Sequence, residues 1–136
     1  RARRAAGRPP ADPRLVWRDG VISLLPLPDG SQTAVAAVET LGALVQEGDR
    51  RTLLREAGRI LAPGGRLLLA EMVRTKTSLK LLGPAGLGLK PAEHWLALVE
   101  ACGFELGDRL ILEDSLLVLR ANAADPNLAR QLSLNL

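Results

Sequence analysis

Arg59-Ile60-Leu61-Ala62-Pro63-Gly64-Gly65-Arg66-Leu67-Leu68-Leu69 joins an amphipathic helix to an apolar strand through one proline and two glycines. The glycines allow the chain to reverse where a side chain would collide. Upstream of the join, Leu53, Leu54, Ala57, Ile60 and Leu61 recur at helical spacing and form one apolar face, while Arg50, Arg51, Arg55, Glu56 and Arg59 line the other. Asp49 is the predicted N-cap of this helix. Downstream, residues 66–73 are apolar through their middle, which predicts a strand buried on both faces.

The same alternation continues outward. Residues 33–38 form a second run of small and β-branched side chains, predicted to be another doubly buried strand, and residues 40–46 are predicted to be a short helix. Further back, residues 15–17 read as a short strand closed by Asp19 and Gly20. Residues 21–25 are an apolar connector, and Pro26, Pro28, Asp29 and Gly30 mark a turn-rich loop. Residues 1–8 look like the end of a helix stopped by Gly7, Pro9 and Pro10. Towards the C-terminus, residues 74–90 are rich in Gly, Lys and Leu and read as a loop or lid helix. A helix follows from Pro91 to its stop at Gly103, with Trp95, Leu98, Val99 and Cys102 on one face. Residues 104–112 and 115–120 are two strands separated by Glu113-Asp114, a connection short enough only for an antiparallel hairpin. The predicted class is therefore α/β, a mostly parallel sheet with a final antiparallel hairpin.

Composition bounds the function classes. The 136 residues suffice for one domain with a real core, and 47% are hydrophobic. Aromatics make up 2%, with Phe104 the single Phe and no Tyr, so the core is aliphatic. Cys102 and His94 are the sole Cys and His, which excludes a disulfide framework and a Cys/His zinc cluster within the chain. The net charge of +3 is concentrated in Arg1, Arg3, Arg4, Arg8 and Arg14. A nucleic-acid surface is one reading of that cluster, but without interleaved aromatics or a recognition motif it reads as a solvated helix face. No apolar run reaches a membrane span, and no apolar core follows the arginines as in a secretory signal, although an Arg-rich transit peptide stays open. A cytoplasmic location and no membrane partner are expected. The chain opens on Arg1 rather than Met, which is read as processing or missing upstream sequence.

Three segments together resemble the class I S-adenosylmethionine-dependent methyltransferase family, of the methyltransferase type 11-like kind. Residues 20–31, GVISLLPLPDGS, resemble the stretch written GDAxxLPxPDGS. Residues 59–69 resemble RxLxPGGxLxx, and residues 98–104, LVEACGF, resemble the closing helix before the last two strands. The helix end at residues 2–7 fits the same order. The resemblance spans residues 1–122 and covers the C-terminal part of that Rossmann-like sheet, leaving 123–136 as a tail.

What the resemblance implies about chemistry is uneven. The family holds its cofactor with a glycine-rich loop after the first strand and an acidic residue after the second, and neither pattern occurs in this sequence. The implied adenine contact falls on Val21, flanked by Asp19, Gly20 and Ile22. Valine can pack on a purine but cannot accept a hydrogen bond, and Asp19 would need a register shift to substitute. Gln32-Thr33 stands where the family often has FD, and Leu41-Gly42-Ala43 where it often has LHH. Glu39 and Thr40, at the carboxyl end of the predicted strand, are the implied cofactor contacts, with Glu39 also the candidate general base. His94 is a weaker candidate base and reads better as a surface histidine. Trp95 reads as core, and Lys76, Lys80 and Lys90 as lid cations for an anionic substrate or as solvated residues.

The implied cofactor is S-adenosylmethionine. The implied function is methyl transfer by an incomplete domain that needs a cofactor loop from elsewhere. The alternatives are a non-catalytic pseudoenzyme-like structural or interaction subunit, or a basic nucleic-acid-binding domain. An open sheet edge predicts a protein partner or a second copy.

Overall fold

The computed structural model describes residues 12–125 and Leu134. The helix end expected at residues 1–8 lies outside them, as does most of the expected tail. Four strands, β1 (Gln32–Val38), β2 (Leu61–Met72), β3 (Phe104–Leu112) and β4 (Leu116–Ala123), form one sheet in the order β1-β2-β4-β3. β1 pairs with β2 in parallel, with Val35 opposite Leu67 and Val38 opposite Ala70. β4 is antiparallel to both β2 and β3, with Leu119 opposite Leu69 and Val118 opposite Leu110. The expected α/β sheet with a closing antiparallel hairpin is thus present.

Among residues 12–125 three α-helices accompany the sheet: α1 (Glu47–Ile60), α2 (Lys76–Leu82) and α3 (Ala92–Ala101). Leu54 and Ala57 of α1 and Trp95, Leu98 and Val99 of α3 meet Leu67, Leu69, Leu117, Leu119 and Ala121 in a single aliphatic core. α1 starts two residues before the expected cap. Gln46 is the N-cap, and Glu47 and Asp49 lie in the first turn, where carboxylates favour the positive end of the helix dipole.

Several expectations are corrected. Neither β1 nor β2 is buried on both faces. Burial alternates along β2, with Leu67, Leu69, Glu71 and Val73 inward and Arg66 and Leu68 exposed, because α1 and α3 contribute to one core on one side. Residues 15–17 form no strand. The Leu15 N–H bonds back to the Asp12 carbonyl at 2.9 Å and Arg14 folds onto the Asp12 carboxylate, so the chain turns instead of pairing, and Trp17 is 79% exposed. Residues 40–46 form turns rather than a helix. β2 begins at Leu61 rather than after the glycines. Residues 62–65 loop out of the ladder between the pairs Gln32–Leu61 and Ala34–Arg66.

The 74–90 segment resolves into α2 and the 3-10 turn Gly83–Gly88. Thr75 and Ser78 close a capping box on α2. Thr75 and Thr77 also donate to the Asp114 carbonyl and carboxylate, which fastens the start of α2 to the β3–β4 turn. Glu113 and Asp114 both have positive φ, 49° and 48°, the left-handed pair used by tight hairpin turns. No helix among the described residues is long and apolar enough to cross a membrane.

Gly64 has a φ of 73°, and a Cβ on Gly65 would lie 2.8 Å from the Ala62 carbonyl oxygen and 3.3 Å from that of Thr33. Gly48, by contrast, sits in α1 with open space around its Cα. Gly65→Ala is expected to destabilise the fold by about 1–3 kcal/mol through backbone overlap. Gly48→Ala is expected to stabilise it by about 0.5–1 kcal/mol. Urea denaturation of the two variants checks the opposite signs.

Candidate functional site

In a parallel pair the loops leaving the carboxyl ends of the strands are where ligands sit. The β1–β2 pair presents two chain segments there, residues 39–44 after β1 and residues 71–73 at the end of β2. They grip each other reciprocally. The Glu39 N–H donates to the Ala70 carbonyl at 2.8 Å, and the Glu39 carboxylate accepts the Met72 N–H at 2.6 Å. In return the Glu71 carboxylate accepts the Leu41 N–H on Oε1 at 2.8 Å and the Gly42 N–H on Oε2 at 3.2 Å.

Glu39 itself is exposed and has a φ of 51°, an uncommon conformation for a non-glycine residue and one that collects at functional sites. Thr40 is exposed beside it and donates its hydroxyl to the Val38 carbonyl at 3.2 Å. Leu41 is fully buried and anchors the turn in the core.

The outer side of this turn is held from α1. Arg50 is 8% exposed, and its Nε donates to the carbonyls of Leu41 at 3.1 Å and Leu44 at 2.9 Å. Its Nη1 pairs with the Glu47 carboxylate at 3.1 Å, and the guanidinium lies 5.0 Å from the centre of the Trp95 ring. His94 packs edge-on to Trp95, with its Nε2 3.4 Å from Glu47 Oε2. Trp95 is 1% exposed, which makes it core as expected, while its indole nitrogen has no hydrogen-bond partner among the described residues. His94 is a half-buried neighbour of the Glu47–Arg50 pair rather than a free surface histidine.

Glu71 is 1% exposed, and burial pushes its carboxyl above the usual carboxylate range. The Gly42 and Leu41 N–H groups act against that shift, the Glu39 carboxylate reinforces it and Arg50 opposes it. Burial by neighbouring atoms outweighs the two donors.

The residues implied at the adenine position make no hydrogen bond to this turn among the described residues. Asp19 and Gly20 are exposed, and Val21 is 61% exposed at a turn closed by the Leu24 N–H on the Val21 carbonyl at 3.1 Å. Ile22 is half-buried. The loop that follows is fixed to α1. Arg59 donates to the carbonyls of Leu25 and Leu27 and to the carboxylates of Glu56 and Asp29, and Glu56 accepts the Leu25 N–H at 2.8 Å. Pairing with Glu56 and then Asp29 raises the Arg59 pKa, and the Arg59 bonds lower that of Glu56. The structure therefore brings Glu39 and Thr40 together with Glu71 and Arg50, while the brace from α1 fixes Leu25, Leu27 and Asp29, downstream of residues 19–22.

Glu71 and Arg50 were not among the expected site residues, yet both carry a signal in the sequence. Glu71 is the one charge inside residues 67–73, and Arg50, expected on the charged face, falls four and seven residues before Leu54 and Ala57 and is buried on their face of the helix instead. Lys76 and Lys80 on α2, and Lys90 after the 3-10 turn, are exposed. A shallow cleft of about 380 Å³, lined by Arg55, Leu61, Pro63, Cys102 and Phe104, opens at the other end of the sheet. It lies at the amino end of β2, away from the strand ends that gather polar groups. No cluster among the described residues could hold a metal ion.

The sequence pattern of the family described as Methyltransferase domain matches residues 1–69. No curated protein matches the chain. Among solved structures, a SAM-dependent methyltransferase from Aquifex aeolicus is similar at 16% identity with a TM-score of 0.67, covering 79% of this chain and 54% of that one. The 4+2 cyclase SpnF is similar at 21% identity with a TM-score of 0.62, covering 76% and 54%. A methyltransferase from Haloferax volcanii, in complex with the Trm112 methyltransferase activator, is similar at 15% identity with a TM-score of 0.62, covering 77% and 59%. The chain spans little more than half the length of these structures, and at such identities the likeness is one of fold.

A Cβ on Gly42 would lie 2.7 Å from Glu71 Oε2. Gly42→Ala is therefore expected to push the carboxylate off one or both turn N–H groups and to destabilise the protein by about 1–3 kcal/mol, read by urea denaturation. Glu71 also sets a pH dependence of stability. Below the ordinary carboxylate range it is neutral in folded and unfolded chains alike. As pH rises the unfolded chain ionises first, so stability falls until the raised folded-state pKa has been passed, and then levels. Because Glu56, with its lowered pKa, contributes the opposite slope, the decline is read as the difference between denaturation curves of the parent protein and of a Glu71→Gln variant, which should lack it, across that range.

Proposed function

The chain belongs to the methyltransferase-domain family, and on that premise we propose that residues 1–122 act as the C-terminal part of an S-adenosylmethionine-dependent methyltransferase. The observation that supports this reading is the braced turn at the carboxyl end of β1, where Glu39 and Thr40 stand exposed beside a strand end. A carboxylate and a hydroxyl there suit the sugar and amine groups of a nucleoside-containing cofactor.

The donor set fits one side of that cofactor. Val21 offers an apolar surface and no acceptor to the adenine amine, and the sequence holds no glycine-rich loop for the methionine end. Methyl transfer therefore requires that loop from another segment or subunit. When bound, the cofactor supplies an activated methyl group. This chain's own contribution is orientation, through Glu39 and Thr40, together with a carboxylate at Glu39 able to take a proton from an acceptor. In-line placement of the acceptor dominates such a reaction, so the absence of a histidine at residues 41–43 is compatible with it.

The outer edge of β1 has no paired strand among the described residues, and we assign it to a protein partner or a second copy of the chain. The Haloferax methyltransferase bound to an activator is a precedent for partnership on this fold. A cytoplasmic setting suits this reading. The exposed Val21 favours a second reading, a non-catalytic methyltransferase-like interaction subunit, and the cyclase neighbour illustrates that the fold hosts other roles.

Isothermal titration with S-adenosylmethionine, competed by S-adenosylhomocysteine, separates the two readings. The expected result is saturable binding once a glycine-loop segment is supplied. Glu39→Gln, with an unchanged circular dichroism spectrum, should then weaken it by about tenfold or more, the loss of one charged hydrogen bond. Binding indifferent to Glu39→Gln would remove Glu39 from the site. No binding with the loop present would leave the interaction subunit.

A further inference from the structure

Glu71 is a buried carboxyl group with no role in the chemistry above, and its two oxygens are divided between adjacent backbone donors. An ionised carboxylate is acceptor-only and can serve both N–H groups. Protonation converts one oxygen into a hydroxyl donor, leaving a single good acceptor for two donors. The bond from Gly42, at 3.2 Å against 2.8 Å from Leu41, is the one to be lost. Among the described residues that N–H has no other acceptor.

The surroundings make this a localised event. The Leu41 side chain is fully buried, and the carbonyls of Leu41 and Leu44 are fixed by Arg50, so one side of the turn stays anchored whatever the state of Glu71. The freed side is Gly42, a residue without a Cβ, two positions from Thr40 and three from Glu39. The charged groups facing Glu71 are the Glu39 carboxylate from the end of β1 and the Arg50 guanidinium from α1. Behind Arg50 stand Glu47 of α1 and His94 of α3. Neutralising Glu39, by binding a donor or by mutation, would make Glu71 easier to ionise.

We propose that Glu71 is the positioning residue of the candidate site: ionised, it holds residues 39–42 in their ligand-facing arrangement, and on taking up a proton it releases Gly42 and loosens them. The ligand-facing part rests on the function proposed above, whereas the proton-dependent turn does not. Burial places the transition at less acidic pH than for an exposed carboxylate.

The test is a pH titration of the 136-residue chain followed by amide NMR. The Leu41 and Gly42 amide signals should move with one common midpoint above the ordinary carboxylate range, and Gly42 amide exchange should accelerate on the acidic side once intrinsic exchange is corrected for. Glu39→Gln should lower that midpoint, and Glu71→Gln should abolish the transition. If Glu71→Gln does not fold, the side-chain carboxyl carbon signal of Glu71 in the parent protein must titrate with the same midpoint. Amides that stay still, or move equally in Glu71→Gln, overturn the proposal.

The second arm uses S-adenosylhomocysteine as probe, with the glycine-loop segment present. Its affinity should fall about five- to tenfold across the same midpoint, the effect of one lost hydrogen bond near the ligand. Binding that ignores pH while the amides titrate overturns the ligand-facing role. Absence of binding at every pH, with the amides still titrating, counts against the methyltransferase reading and leaves the proton-dependent turn intact.

Discussion

β2 is hydrogen-bonded along both edges, and the rest of the molecule is arranged by that constraint. One edge is taken by β1 in parallel, which requires the chain to cross from one end of the sheet to the other through α1. The other edge is taken by β4 in an antiparallel sense, which forces β3 outward to the far side of β4. With both edges fixed, the pleat decides which side chains enter the core. Leu67, Leu69 and Val73 face it together with Leu117, Leu119 and Ala121 of β4, and a slip of one residue would exchange that set for Arg66, Leu68 and Arg120.

The same pleat explains why a carboxylate is buried at the end of β2. Glu71 continues the inward series of Leu67 and Leu69, so its side chain must enter the protein. It is tolerated because the chain leaving β1 turns at the same level and offers two N–H groups. A buried acceptor and two otherwise unpaired donors satisfy each other, and removing either partner leaves the other desolvated. Arg50 plays the complementary part from α1, taking up the carbonyls of the same turn. The turn thus has its donors and acceptors consumed by side chains from two different elements, and Glu39 and Thr40 are held at its exposed start.

The elements of this fold with strong local signals were legible in the sequence. The glycines after α1 announced the reversal into β2, the run from Phe104 to Leu112 was bounded correctly, and the brevity of Glu113-Asp114 required the hairpin. Local propensity failed where long-range partners decide. Residues 40–46 contain reasonable helix formers, but Glu71 takes the N–H groups of Leu41 and Gly42 and Arg50 the carbonyls of Leu41 and Leu44, and between these two long-range partners the segment is held as turns. Residues 15–17 have strand-like side chains, yet a strand exists only through a neighbour's hydrogen bonds. Of the site, Glu39 and Thr40 were visible as a strand end, whereas Glu71 and Arg50 were hidden by the habit of assigning charges to the solvent side. Val21 entered as a candidate through the family resemblance alone, and the loop after it is fixed by Arg59 at Leu25 and Leu27.

The turn at Glu113 and Asp114 couples two parts of the protein that are otherwise distinct. Left-handed backbone costs roughly 1–2 kcal/mol at a residue with a side chain, so the hairpin carries conformational stress at its tip. Asp114 offsets part of it by receiving Thr75 and Thr77 from the start of α2. The tip of β3–β4 and the seat of α2 are consequently one mechanical joint. A glycine at position 114 would relieve the left-handed backbone of the hairpin tip and remove the Thr77 contact, so the hairpin would gain stability while α2 became less firmly seated.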